Sequence, residues 1–233
     1  MERRLAAVLA ADIVGYSRLM ERDEIRVVEL INQLQRTLLE PIIARHGGRI
    51  FKTMGDGFLV EFTSVVNAVT CAHEWQRSAA AAQADGDPDF AIQFRIGISM
   101  GEVVVQGDDL LGTSINIAAR LEALATPGSV CVTAEVHAQS GGRVAFGFED
   151  LGERELKNIS GRHRVYSLEI AQEDPGFRDA PMDQTVDEPP QITGTEAQHP
   201  TLDGTVDSPN DVPGLAILPF SDMATDTPNT LLA

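Results

Sequence analysis

Two aspartates, Asp12 and Asp56, each close an apolar strand-like run, "RRLAAVLAADIVGYS" and "GGRIFKTMGDGFLVEF", and each stands beside a glycine that permits a bend. A carboxylate at the end of a hydrophobic strand is costly to bury unless it is paired, hydrogen-bonded or bound to a cation. Two such endings in one domain point to a shared divalent ion held by oxygen ligands. In its sharpest form the pair would hold two metals that clamp a phosphate. The run "FKTMGDGF" also reads as a tight hairpin, because Asp-Gly suits the turns that join antiparallel strands.

Charge narrows the partners. The 233 residues carry a formal net charge of −17, which argues against a nucleic-acid backbone as ligand, since that binding is driven by lysine and arginine. A metal or cationic ligand fits better, and 43% hydrophobic residues suffice for a substantial core. The two cysteines, Cys71 and Cys131, lie far apart with no histidine at ligand spacing, and read as reduced, buried thiols. Arg3 and Arg4 before "LAAVLAA" imitate a short signal peptide, but Asp12 interrupts the run and a buried strand is the better reading. No stretch approaches the ~18 apolar residues of a membrane span, so no membrane segment is expected in this chain.

Composition divides the chain near Glu169. Residues 1–170 hold 17 Lys and Arg against 23 Asp and Glu, whereas residues 171–213 hold one basic residue, ten acidic ones and seven prolines. Such a segment cannot offset its ordering entropy by burial and is expected to be a disordered linker. Residues 214–233, "GLAILPFSDMATDTPNTLLA", turn apolar again and read as the truncated start of a further domain.

Within residues 1–170 the pattern predicts a strand over 5–14, helix over 23–46, strands over 49–54 and 58–62, and a helix over 65–84 capped by Ser64. "AIQFRIGISMGEVVV" reads as two strands about Gly101, followed by a helix over 113–125 and three strands, "SVCV", "FEDLGERELK" and "RVYSLEI". Helices alternate with strands but hairpins also occur, which favours an α+β sandwich with a mostly antiparallel sheet over a doubly wound one. Strict alternation places Ile50, Lys52 and Met54 on one face of their strand.

In "DDLLGTSINIAARLEAL", Ile117, Leu121 and Leu124 form the apolar stripe of a short helix, and Asn116 and Arg120, four apart, share another face. Taken singly these two are an ordinary solvated face, Asp109 is a loop residue, and Lys52 and Lys157 are surface charges. Their joint order is more specific: an aspartate after a strand, Lys-x-x-x-Asp in a hairpin, Asp-x6-Asn-x3-Arg entering a helix, and a late Leu-Lys-Asn before a final strand.

That set, over roughly residues 4–170, strongly resembles the class III adenylyl/guanylyl cyclase catalytic domain in its bacterial adenylate cyclase form. The resemblance implies a ferredoxin-like sandwich with helices on one face of the sheet. It implies that Asp12 and Asp56, assisted by the backbone of Ile13, bind two Mg2+ or Mn2+ ions per site. Lys52 and Asp109 match the residues that read the purine: adenine offers an acceptor at N1 and a donor at its 6-amino group, which a lysine and a carboxylate complement. Guanine reverses both groups, and cyclases specific for GTP carry Glu and a small or sulfur-containing residue there. Asn116 and Arg120 match the residues that orient the ribose and stabilise the α-phosphate, and Lys157 the one that holds the terminal phosphates. ATP is the implied substrate, cyclic AMP and pyrophosphate the products, and the cytoplasm the expected location. The implied assembly is a head-to-tail homodimer with sites shared between chains. The chain departs from the family in having Ser99-Met100-Gly101 where many members have His-Thr-Gly, a short hairpin before Asp109, and no proline after Lys157. The alternative reading is a nucleotide-binding regulatory module of the same fold with little or no turnover.

Overall fold

The computed structural model describes residues 2–83 and 87–170. The linker expected at 171–213, the apolar close at 214–233 and the expected helix end at Ala84 lie outside them. The described residues run β1 (Glu2–Ile13), α1 (Tyr16–Arg22), α2 (Glu24–Leu34), α3 (Glu40–Arg45), β2 (Gly48–Met54), β3 (Gly57–Phe62), α4 (Val65–Ala81), β4 (Phe94–Gln106), β5 (Asp109–Leu111), α5 (Thr113–Leu124), β6 (Val130–Thr133), α6 (Ala134–Ser140), β7 (Phe148–Glu155) and β8 (Arg162–Leu168).

The strands form one sheet in the order β2-β3-β1-β4-β6-β8-β7, with β5 paired to β4. Every pairing is antiparallel except β4 with β6. The sequence β1, helices, β2, β3, α4, β4 arranged as 2-3-1-4 is the ferredoxin-like pattern, so the expected mostly antiparallel α+β sheet is present.

β1 is central and covered on both sides, which explains its run of alanines. Ala7, Leu9, Ala11 and Ile13 join a core with residues of α2, α3, α4 and α6, while Ala6, Val8 and Ala10 join Leu59, Val103, Leu110 and Ala118 on the other side. Most helices therefore lie on one face, as expected, and α5 lies on the opposite one. Trp75 of α4 anchors the larger core, packed edge-on against Phe58 at 5.9 Å and Phe94 at 5.3 Å between ring centroids. Ser64 caps α4 by accepting a hydrogen bond from the Asn67 N–H at 3.3 Å.

Three local features differ from the sequence reading. The helix expected over 23–46 contains a π-helical turn, Gln35–Leu39, just before Pro41. A proline within a helix removes a backbone donor, and the wider turn accommodates the missing bond. The two strands expected about Gly101 are one continuous strand, β4. Gly101 marks a close approach rather than a turn, since a Cβ there would lie 3.1 Å from that of Ser114. Finally, β2 carries a bulge between Ile50 and Lys52, so Lys52 pairs with Leu59 and Ile50 with Val60. The extra residue, Phe51, breaks the alternation. Ile50 packs into the helix-covered core, whereas Lys52 pairs with Leu59, which lies with Phe51 on the α5 side, so Ile50, Lys52 and Met54 do not share a face.

Candidate active site

α5 sits directly on β4 because the strand offers it small residues. A Cβ on Gly97 would lie 2.2 Å from the Ala118 carbonyl oxygen and 2.3 Å from the Glu122 nitrogen, so only glycine lets the helix backbone come so close. Ser99 donates to the Ser114 carbonyl at 2.5 Å and fixes the first turn of the helix. This docking sets the position of Asn116, Arg120 and Glu122 over the sheet.

At the end of β1, Asp12 continues the Ala6, Val8, Ala10 side, facing α5. Ala11 pairs with Phe58, which draws the β2–β3 turn carrying Asp56 to the same place; Gly55 opens that turn at φ +63°. Asp12 and Asp56 come within hydrogen-bonding distance of each other. Burial, the hydrogen bond to Asp12 and the charge of Asp12, in that order, push Asp56 up to about 6, with Arg95 opposing. Arg95 is the register partner of Asp12 on β4 and donates to its Oδ2 at 2.5 Å. Arg95 Nε also stands 3.1 Å from Glu122 Oε1, but the two are not aligned for a hydrogen bond and each is buried without one. Burial first, then the charge of Asp12, pushes Glu122 up to about 7.

This set of three carboxyl groups around one guanidinium is an electrostatic arrangement that favours added positive charge. Among the described residues, no group of three His, Cys, Asp or Glu side chains could by itself hold a metal. Two carboxylates with a peptide oxygen at Ile13 nonetheless suit Mg2+ or Mn2+, because such ions commonly take one or two protein carboxylates and complete their shell with substrate phosphate and water.

A second group forms where β2 meets the β4–β5 turn. Lys52 Nζ and Asp109 Oδ2 are 2.5 Å apart, both partly exposed. The Lys52 hydrogen bond, followed by that of the Leu110 N–H, holds Asp109 below the usual carboxylate range. Asp109, expected in a loop, opens the short strand β5. A third group lies along α5: Asn116 is exposed, and one turn later Arg120 is half-buried and donates from Nε to the Lys157 carbonyl at 3.1 Å, beside the exposed Lys157 side chain.

The sequence-predicted residues thus gather as Asp12 with Asp56, Lys52 with Asp109, and Arg120 with Lys157. The bonds among the described residues run within each group and none joins the first group to the other two. Sequence reasoning missed Arg95 and Glu122. The available signal was a charge inside the apolar strand "FRIGI", which needs a compensating partner as much as Asp12 does.

A model of the adenylate and guanylate cyclase catalytic domain matches residues 3–170. A candidate adenylate cyclase 3 of Rhizobium meliloti (strain 1021) is 41% identical over 97% of this chain, and an adenylate cyclase of Streptomyces coelicolor is 33% identical over 57% of it. The alignments cover 35% and 33% of those relatives, so the chain spans about a third of their length. Among solved structures, an adenylate/guanylate cyclase/hydrolase from Silicibacter pomeroyi is 43% identical with a TM-score of 0.65, covering 72% of this chain and 98% of that one. The adenylyl cyclase CyaB from P. aeruginosa shares the fold at a TM-score of 0.60 and 24% identity, over 75% of this chain and 98% of that one.

Proposed function

The chain belongs to the adenylate and guanylate cyclase catalytic domain family, and from that membership we propose that it is an adenylate cyclase, forming 3′,5′-cyclic AMP and pyrophosphate from ATP at sites shared across a homodimer. The observation that carries the step from cyclase to adenylate cyclase is the contact between Lys52 and Asp109. Each holds the other with the donor and acceptor that adenine would take up. Guanine would present a donor to the ammonium and an acceptor to the carboxylate, leaving both unpaired, and that mismatch is what gives strong discrimination.

Asp12, Asp56 and the Ile13 carbonyl would hold Mg2+ or Mn2+, two per site, whose charge lowers the pKa of the ribose 3′-hydroxyl and stabilises the departing pyrophosphate. The remaining work falls to side chains of the partner-facing half. Asn116 orients the ribose, Arg120 donates to the α-phosphate oxygens as charge builds there, and Lys157 neutralises the terminal phosphates. No protein nucleophile is required. In the head-to-tail arrangement, Asp12 and Asp56 of one copy face Lys52, Asp109, Asn116, Arg120 and Lys157 of another, which accords with the separation of these groups within one chain. We take residues 1–170 as the catalytic domain, of which the family model matches 3–170. A cytoplasmic site of action fits the two unpaired cysteines.

One observation favours the second reading, a nucleotide-binding module with negligible turnover: Arg95 already occupies Asp12, so a metal must compete with an internal cation. Incubation with Mn2+ and either ATP or GTP, followed by measurement of cyclic nucleotide and of nucleotide binding, separates the two. Cyclic AMP made in preference to cyclic GMP supports the cyclase. Binding without product supports the module, and preferential cyclic GMP refutes the base assignment.

A further inference from the structure

Glu61 of β3 is buried, with 6% of its surface exposed, on the α5 side of the sheet. A lone carboxylate there would be strongly destabilising. Two guanidinium groups compensate it: Arg4 of β1 donates from Nη2 to Oε2, and Arg49 of β2 donates from Nε to Oε1 at 2.5 Å. Arg49 and Glu61 are direct cross-strand partners, so this contact is built into the register. With Nε engaged, Arg49 Nη1 reaches outward and donates to the Asp108 carbonyl at 3.2 Å. Asp108 follows Gly107, at φ +61°, in the turn that leads directly to Asp109.

β5 is three residues long and, among the described residues, pairs only with β4. The polar ties that hold β5 and the turn before it to β2, among the described residues, are Arg49 to Asp108 and Lys52 to Asp109. These two ties are not equivalent. Lys52 and Asp109 must release each other to engage a purine, whereas the Asp108 carbonyl stays available to Arg49 throughout. We propose that Arg49, oriented by Glu61, is a positioning residue that sets purine selectivity by anchoring Asp108, and with it Asp109, against β2. The inference rests on the reading of Lys52 and Asp109 as the purine contacts.

The test uses the full chain with Mn2+ and a fluorescent ATP analogue, displaced by 3′-deoxy-ATP or 3′-deoxy-GTP, which lack the attacking hydroxyl. Arg49→Lys keeps a positive charge beside Glu61 but has a single nitrogen that cannot serve both acceptors. It should lower the adenine-to-guanine affinity ratio by about tenfold, the size of one lost hydrogen bond, through weaker adenine binding. Arg4→Gln removes the other arginine of Glu61 without touching the turn. It should lower the melting temperature and leave the ratio unchanged. Lys52→Ala should remove the preference altogether. If Lys52→Ala does so while Arg49→Lys retains the wild-type ratio, or if Arg4→Gln lowers the ratio as much as Arg49→Lys, the anchoring role is overturned and the purine reading stands. If Lys52→Ala and Asp109→Ala both keep the wild-type preference, the purine reading fails and the anchoring role falls with it.

Discussion

Replacing Asp56 by asparagine should stabilise the metal-free protein and abolish its response to divalent cations. In the fold Asp56 is pushed from 3.8 to about 6 by burial and by Asp12. A raised carboxyl pKa means that the folded state holds its proton more tightly than the unfolded state does. The cost of ionising Asp56 is therefore absent below the unfolded value, grows as pH rises toward 6, and is fully present above it. A rise of that size corresponds to ~3 kcal/mol. Solvent reaches this site and screens the pair, so ~1 kcal/mol is the realistic figure. Asparagine keeps the shape without the charge. In EDTA, unfolding curves of the two proteins should nearly coincide at pH 4, and at pH 7.5 the variant should melt ~2–4 °C higher. Glu122 also has a raised pKa and loses stability in the same direction; the charge of Asp56 is one of the causes, so its removal relieves Glu122 as well and the two effects add in the same sense. Adding Mn2+ should raise the melting temperature of the wild type alone. A variant that is less stable at pH 7.5 in EDTA, or a stability difference that does not change between pH 4 and 7.5, would refute the reasoning.

Arg120→Ala should lower kcat by roughly 100- to 1,000-fold with little change in KM, as removal of a donor to developing charge does; a pure KM effect in steady-state cyclic AMP assays would contradict that role. Gly97→Ala must push α5 off β4, because the new methyl meets backbone atoms. The expected cost is ~2–3 kcal/mol and a melting temperature lower by roughly 5–10 °C, with cyclase activity lost in parallel; an unperturbed melt would show that the helix is not seated as described. Mixing Asp56→Ala with Arg120→Ala chains, each inactive alone, should restore about a quarter of wild-type activity if subunits pair at random. No recovery after demonstrated subunit exchange would exclude sites shared between copies.

The order and type of the main elements were legible because their signals are local: an unbroken apolar run in β1, Ser64 at a helix start, Asp-Gly between β2 and β3. What escaped was set by contacts distant in sequence. Gly101 has the composition of a turn, and only the neighbouring Ser114 reveals that its lack of a side chain serves helix packing instead. The seven-residue helices α1 and α6 and the three-residue β5 are too short for a repeating hydrophobic signal. The pairs Asp12–Asp56 and Lys52–Asp109 were expected from the ordered motif, and the fold brings each pair together. Arg95 and Glu122 were not expected, because nothing in the linear chain shows that β4 lies beside β1 in a register that aligns Arg95 with Asp12.

The bulge at Phe51 decides which face of the sheet the following lysine occupies. If the same residues paired by simple alternation, Phe51 would take the place opposite Leu59 and Lys52 would fall opposite Phe58 on the helix-covered side, directing an ammonium group toward Trp75 and its neighbours. The spacing of Lys-x-x-x-Asp is therefore only half of what this strand must preserve; the other half is the bulge between Ile50 and Lys52, which fixes the phase in which that motif is presented.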